Sequence, residues 1–292
     1  DIGRYGSEWR NDLQLGSNPL LATEYFRPLG NTRFFIAPRA AIEKRNFNYY
    51  EKGTNLAQYK GQSTLASLEL GYSLNSRSEL RGGYAIGYQK FSRQIGDPLL
   101  SDGKGGFSKT GVSWRYFGIN DAQIPTRGLG IEAALDYYFK SPDIEVDGGE
   151  FTQAKTEFSY FHPVSKKNIL IGFGGAGATF GNPATAVQKF PLGGRMNLGG
   201  YYHEEFRSDN YLLGGIGMLH EFGFFSSALG GASYLGAWYE GGSAFDDIDL
   251  AIYRQSLSTG IIVETPLGPV FVGGSLNEDG NSKFYFSFGR FY

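Results

Sequence analysis

Gly172-Phe173-Gly174-Gly175-Ala176-Gly177 reads literally as G-x-G-x-x-G, the turn that brings a dinucleotide's pyrophosphate to the start of a helix. That chemistry needs a helix opening at the last glycine and an acid about 20 residues further on. Here Ala178-Thr179-Phe180-Gly181-Asn182-Pro183 follows, without helical period, so the run reads as a glycine-rich strand. His203-Glu204-Glu205 begins like a zinc-binding helix, but position 207 is arginine, and His162 and His220 are scattered elsewhere. Asp147-Gly148-Gly149 could supply the acid of a serine–aspartate lipase dyad. No G-x-S-x-G elbow accompanies it, and the tripeptide reads as a hairpin turn. The absence of cysteine rules out disulfides, thiolate zinc and thiol catalysis. The sequence predicts no catalytic residue, no metal and no cofactor.

What remains to be positioned is a wall rather than a catalytic centre. The 292 residues carry 27 Lys+Arg against 29 Asp+Glu, which lacks the basic excess of a general nucleic-acid binder. Glycine (44) is about twice its usual share, aromatics reach 16% and methionine only 2, a composition that favours strands over helices. No stretch approaches the roughly 18 apolar residues of a membrane helix, and Ile169–Ala178 is the nearest. Asp1-Ile2-Gly3-Arg4-Tyr5 has no basic region leading into an apolar core, as in a mature or trimmed chain. A membrane barrel remains open, because its tilted strands of about 9–11 residues need only alternate.

Alternation is what the chain shows. Thr64, Ala66, Leu68, Leu70, Tyr72 and Leu74 oppose Ser67, Glu69, Gly71 and Ser73. Leu80–Gln89 and Leu129–Lys140 repeat the pattern, as do 34–45, 153–160 and the last residues, where Phe284, Phe286 and Phe288 oppose Lys283, Ser287 and Gly289. These runs exceed the usual sandwich strand of about five or six residues. Turn signals divide the chain into strands near 7–15, 19–27, 33–48, 59–74, 78–92, 107–118, 128–140, 150–162, 168–179, 211–221, 228–240, 253–264, 268–276 and 283–292. Tight joints at 75–77 and 277–281 contrast with long ones at 93–106 and 180–210, the asymmetry of an outer-membrane barrel. The expected fold is all-β, a transmembrane antiparallel up-and-down barrel of about 14–16 strands, in one domain over 1–292. Arg39, Glu43, Arg45, Glu69, Arg81, Glu132, Asp136, Lys155 and Glu157 fall on the polar face with mixed sign. They predict cross-strand pairing in a wet lumen rather than a single-sign selectivity ring.

Three stretches resemble the bacterial surface antigen family, the superfamily of the barrel-assembly insertase and the two-partner secretion transporters. Thr265–Val270 with the closing Phe284, Phe286, Phe288 and Tyr292 looks like its last strands and C-terminal assembly signal. Phe190, Leu192, Gly193 and Gly194, then Leu198, Gly199, Gly200 and Tyr201, resemble its inward-folded loop, F-x-L-G-G followed by V/L-R-G-F/Y, with Gly199 where most members have arginine. Gly6–Arg10 with Thr23–Leu29 resembles early strands of the branch fused to a patatin-like lipase.

The resemblance implies about sixteen strands. Either two are hidden in these boundaries or a preceding hairpin belongs to the natural gene, the chain being a fragment. It also implies integral location in the bacterial outer membrane, with outer-membrane lipid and, during biogenesis, the barrel-assembly machinery as partners. The small residue at Gly199 favours the translocator or anchor barrel of a patatin-type autotransporter, exporting a fused passenger absent from this chain. An insertase, a two-partner secretion pore and a passive porin are the alternatives, and a homo-oligomer is possible.

Overall fold

The computed structural model describes residues 6–15, 18–51, 54–96, 102–142, 149–185, 187–224 and 231–289. Sixteen strands follow one another: β1 Glu8–Gln14, β2 Leu20–Pro28, β3 Phe34–Glu51, β4 Thr54–Asn75, β5 Ser78–Gly96, β6 Gly103–Phe117, β7 Gly128–Lys140, β8 Phe151–Pro163, β9 Asn168–Gly181, β10 Phe190–Leu192, β11 Phe206–Ser208, β12 Asn210–Phe224, β13 Ala232–Phe245, β14 Arg254–Val263, β15 Val270–Asn277 and β16 Ser282–Phe288. Fourteen form one sheet in chain order, with β9 beside β12, while β10 and β11 pair only with each other. The expected count of about fourteen matches, and Gly172–Gly177 lies within β9. Contacts divide the chain into two units: Asp1–Arg115, Glu132–Lys155 and Ala178–Lys189, then Tyr116–Ile131, Thr156–Gly177 and Phe190–Tyr292.

In the first unit β3, β4 and β5 run longer than alternation indicates, and the long joint expected at 93–106 shrinks to the residues between Gly96 and Gly103. The ladder continues through polar residues because it is built of backbone hydrogen bonds, to which side-chain hydropathy is irrelevant. Leu68, Leu70, Tyr84 and Ile86 stand on the exposed face. Phe35, Ala37, Tyr59 and Phe91 are buried on the other. Lys44, Gln62 and Lys90 are register partners across three strands on the exposed face, a polar line that ends the apolar band. From that line to the 76–77 turn the band is about as long as a membrane-crossing strand.

The excess glycine has a packing cause. Gly71 lies under the Phe35 ring and Gly87 under Phe107, and in the second unit Gly215 lies under Phe173 and Gly260 under Phe271; a Cβ at any of them would overlap the ring. Glycine at these positions leaves the rings room that any larger residue would take.

The polar face of the first unit pairs its charges, as the mixed signs predict. Arg81 reaches Glu79 at 2.8 Å, Glu69 at 3.1 Å and Glu24 at 3.4 Å. Glu79 also meets Arg115 at 3.5 Å, and Arg115 meets Glu132 at 3.1 Å. Lys109 meets Asp136 at 2.8 Å. Glu24, Glu79, Lys109 and Arg115 belong to this network although alternation alone did not single them out. Asp147 and Gly148 lie outside the described residues, as does Tyr292 of the C-terminal signal; Phe284, Phe286 and Phe288 all stand on the exposed face of β16.

Candidate functional site

The region expected as the long loop 180–210 is not structureless. Phe190 pairs with Ser208, Pro191 with Arg207 and Leu192 with Phe206. This short ladder holds an arch whose backbone is unusual. Met196, Leu198 and Glu204 are the non-glycine residues with left-handed φ (55°, 68° and 55°) among the described residues. Such conformations cost of order 1–3 kcal/mol each and persist only where the surroundings enforce them. Gly193 and Gly194, at φ 117° and 111°, need glycine for the turn itself. Leu198 is fully buried and packs with Phe190, Leu192, Tyr201 and Tyr211.

Gly199 and Gly200 are glycine for another reason. A Cβ on Gly199 would stand 2.5 Å from Ser275 Oγ and 2.8 Å from Ser258 Oγ, and one on Gly200 would overlap the Asn277 backbone. The arch lands on a basin of small side chains, Ser256, Ser258 and Ser275, on the buried face of β14 and β15. Its floor is the Glu240 carboxylate, 0% exposed, aligned in register with Gly215 and Ser256. Glu240 Oε2 accepts the Gly199 N–H at 2.8 Å and the Ser258 hydroxyl at 3.1 Å. The Gly200 N–H donates to Ser256 Oγ at 3.0 Å, and Ser258 and Ser275 join at 2.7 Å. From β16, the Tyr285 hydroxyl bonds the carbonyls of Gly199 at 2.6 Å and Tyr201 at 3.3 Å. The Gly199 and Gly200 amides and the Gly199 and Tyr201 carbonyls thus each have a side-chain partner in the wall, as close burial of backbone polar groups requires.

Cations fasten the rest. Arg195 lies 5.3 Å over the Phe271 ring, Arg254 3.9 Å over Phe206 and Lys283 3.5 Å over Tyr202. Burial pulls the Arg195 guanidinium below its ordinary value, against Tyr285 and the charge of Glu240. Glu204 pairs with Arg207. In the first unit, Val187 packs with Phe47, Tyr59 and Phe91, and the Gln188 carbonyl accepts from Gln153 at 3.0 Å. His162, His203 and His220 form no metal-holding group with other His, Asp or Glu side chains among the described residues. The motif residues 190–201 thus come together, while Glu240, Ser256, Ser258, Ser275 and Tyr285, which receive them, carry no motif.

At the turn between β15 and β16, Glu278 accepts from the Gln255 N–H at 2.9 Å and from the Tyr201 hydroxyl. Burial pushes its carboxyl up, but these bonds and Arg254 outweigh it and hold the pKa below the ordinary value. Burial and the same bond push the Tyr201 hydroxyl up. A depressed carboxyl stabilises the docked arch above the unfolded pKa of about 4.3 and loses that contribution as pH falls through the lower folded value. Because Glu278 is exposed, solvent screening keeps the effect under about 1 kcal/mol. Melting curves of the parent and Glu278→Gln should differ at pH 6 and converge in acid; a constant gap would refute the assignment.

The chain resembles several solved structures. A BamA from Haemophilus ducreyi lacking POTRA domains 1–3 superposes at TM-score 0.71 with 14% identity, over 96% of this chain and 63% of that one. CdiB from Escherichia coli gives 0.61 at 14%, over 92% and 52%, and CdiB from Acinetobacter baumannii 0.54 at 13%, over 89% and 46%. The chain therefore spans about half to two thirds of these relatives. No curated protein matches it. The patatin-fused branch expected from Gly6–Arg10 and Thr23–Leu29 has no support in these similarities. The Omp85 superfamily domain matches residues 14–292, and with its alternating fourteen-stranded sheet the chain belongs to that superfamily, as an integral β-barrel of the outer membrane.

Proposed function

We propose that this barrel handles polypeptides at the outer membrane, in the manner of an assembly insertase or a two-partner secretion pore, with the 190–208 arch as a constriction anchored to its wall. The observation that carries the reading is the burial of Glu240 beneath the Gly199 amide. A passive channel has no need of a strained arch fastened by a desolvated carboxylate, since its task is only an open, wet lumen. The reading assigns the chain no catalytic step and no cofactor. A second reading, the anchor barrel of a patatin-type autotransporter, draws on the glycine at 199, for which the basin leaves no alternative. In both, client or passenger chains, the barrel-assembly machinery and the surrounding lipid are the partners.

Deleting residues 190–208 should raise single-channel conductance well above that of the intact barrel in planar bilayers. An intact protein that already conducts steadily, with no change on deletion, would make it a porin.

A further inference from the structure

The connection from β13 to β14, residues 246–253, is unlike a loop that faces water. Ile248, Leu250, Ile252 and Tyr253 are 68%, 74%, 60% and 60% exposed. Its 3₁₀ turn, Ile248–Leu250, buries none of its residues against the protein. The acids beside it are engaged with backbone: Asp246 accepts the Asp209 N–H at 2.9 Å, and Asp247 accepts the Asp249 N–H at 3.1 Å. At three residues per turn, side chains leave a 3₁₀ axis about 120° apart, so Asp249 reaches water while Ile248 and Leu250 point elsewhere.

The position of Tyr253 shows which side of the wall the loop takes. Its hydroxyl lies over Gly241, where a Cβ would overlap it, and 3.2 Å from the Tyr239 hydroxyl, which donates to Gln255 at 2.7 Å. Tyr239 and Gln255 continue the exposed columns of Leu235 and of Leu257 and Ile261. Tyr253 is thus pinned to the lipid-facing side, at the end of the apolar band, where amphipathic rings sit at a bilayer interface.

We propose that residues 248–253 form an interfacial foot whose apolar side chains enter the boundary between headgroups and acyl chains of the surrounding bilayer. Its continuity with the lipid-facing columns selects lipid as the occupant over a soluble partner or a second copy. A surface segment of this kind would sit about 5–10 Å into that boundary.

The chain has no cysteine, so single labels are clean. Bimane is attached to Leu250→Cys, with Leu257→Cys as the lipid reference and Asp279→Cys as the aqueous one, each reconstituted in phosphatidylcholine vesicles with or without acyl-chain bromines. The Leu250→Cys label should be quenched by brominated lipid, as the Leu257→Cys label is, and shielded from aqueous iodide. Behaviour like the Asp279→Cys label would overturn the proposal. So would shielding from iodide without bromine quenching, which would mean that protein covers the loop, or a Leu257→Cys label untouched by bromines, which would remove the lipid-facing column the foot continues.

Discussion

Arginine in place of Leu68 or Leu70 should cost the folded barrel about 2–4 kcal/mol, and Glu69→Ala less than about 1 kcal/mol. The three positions are consecutive along β4, and only the face differs. Leu68 and Leu70 are 59% and 53% exposed to what is lipid in the membrane, near the middle of the band between the 76–77 turn and the Lys44–Gln62–Lys90 line. An arginine there must desolvate or deform the bilayer to reach water, a penalty that falls to about 0–1 kcal/mol near the interface. Gln62→Arg, on the polar line, should accordingly be tolerated. Glu69 faces the other way and meets Arg81 at 3.1 Å, but Arg81 keeps Glu79 and Glu24 when Glu69 is lost. Urea titrations of folding into vesicles measure all four. Equal costs for Leu68→Arg and Gln62→Arg would mean that this face does not meet a bilayer.

Gly199→Arg, which installs the residue most of the resembling family carries, should release the arch rather than lock it. Ser258 and Ser275 hold each other at 2.7 Å and Ser258 holds Glu240 at 3.1 Å, so neither can swing aside without abandoning a buried bond. Overpacking of this kind costs about 1–3 kcal/mol. If the arch lifts, the bonds to Glu240, Ser256 and Tyr285 go with it, each worth about 0.5–1.5 kcal/mol. Lifting nonetheless costs less than unfolding a fourteen-stranded sheet. The variant should therefore stay folded, conduct like the 190–208 deletion and become open to proteolysis within 190–208. Ser258→Gly with Ser275→Gly, which enlarges the basin, should partly restore the closed state to the Gly199→Arg protein. Unchanged conductance and protease resistance in Gly199→Arg alone would show that the basin has room for the side chain.

Much of the wall was legible because its signal is local. A strand turns its side chains out and in with period two, so Thr64–Leu74 declares both its conformation and its faces without reference to any other segment. The same locality explains the errors. Past Lys90 the strand runs Ser92-Arg93-Gln94 through an irregularity in its register, so hydropathy stops where the ladder does not. Alternation places Arg81, Glu132 and Asp136 on their face, but their partners Glu24, Glu79, Lys109 and Arg115 depend on which strands are neighbours.

From its sequence alone the chain determined that it is built of alternating strands, that these number about 14–16, which face of each is apolar, and that 190–201 is a glycine-rich departure from them. Only the tertiary structure decided what the departure touches. Glu240 is 41 residues from Gly199, Ser256 is 56 from Gly200 and Tyr285 is 86 from Gly199. What brings them to one place is the register of β13 to β16, and a serine or glutamate in any of those strands looks the same until the register is set. The left-handed turns at Met196, Leu198 and Glu204 have the same origin. No local preference of methionine, leucine or glutamate selects them; they stand among contacts made across the arch, where Leu198 is fully buried and the Glu204 N–H reaches the Gly193 carbonyl.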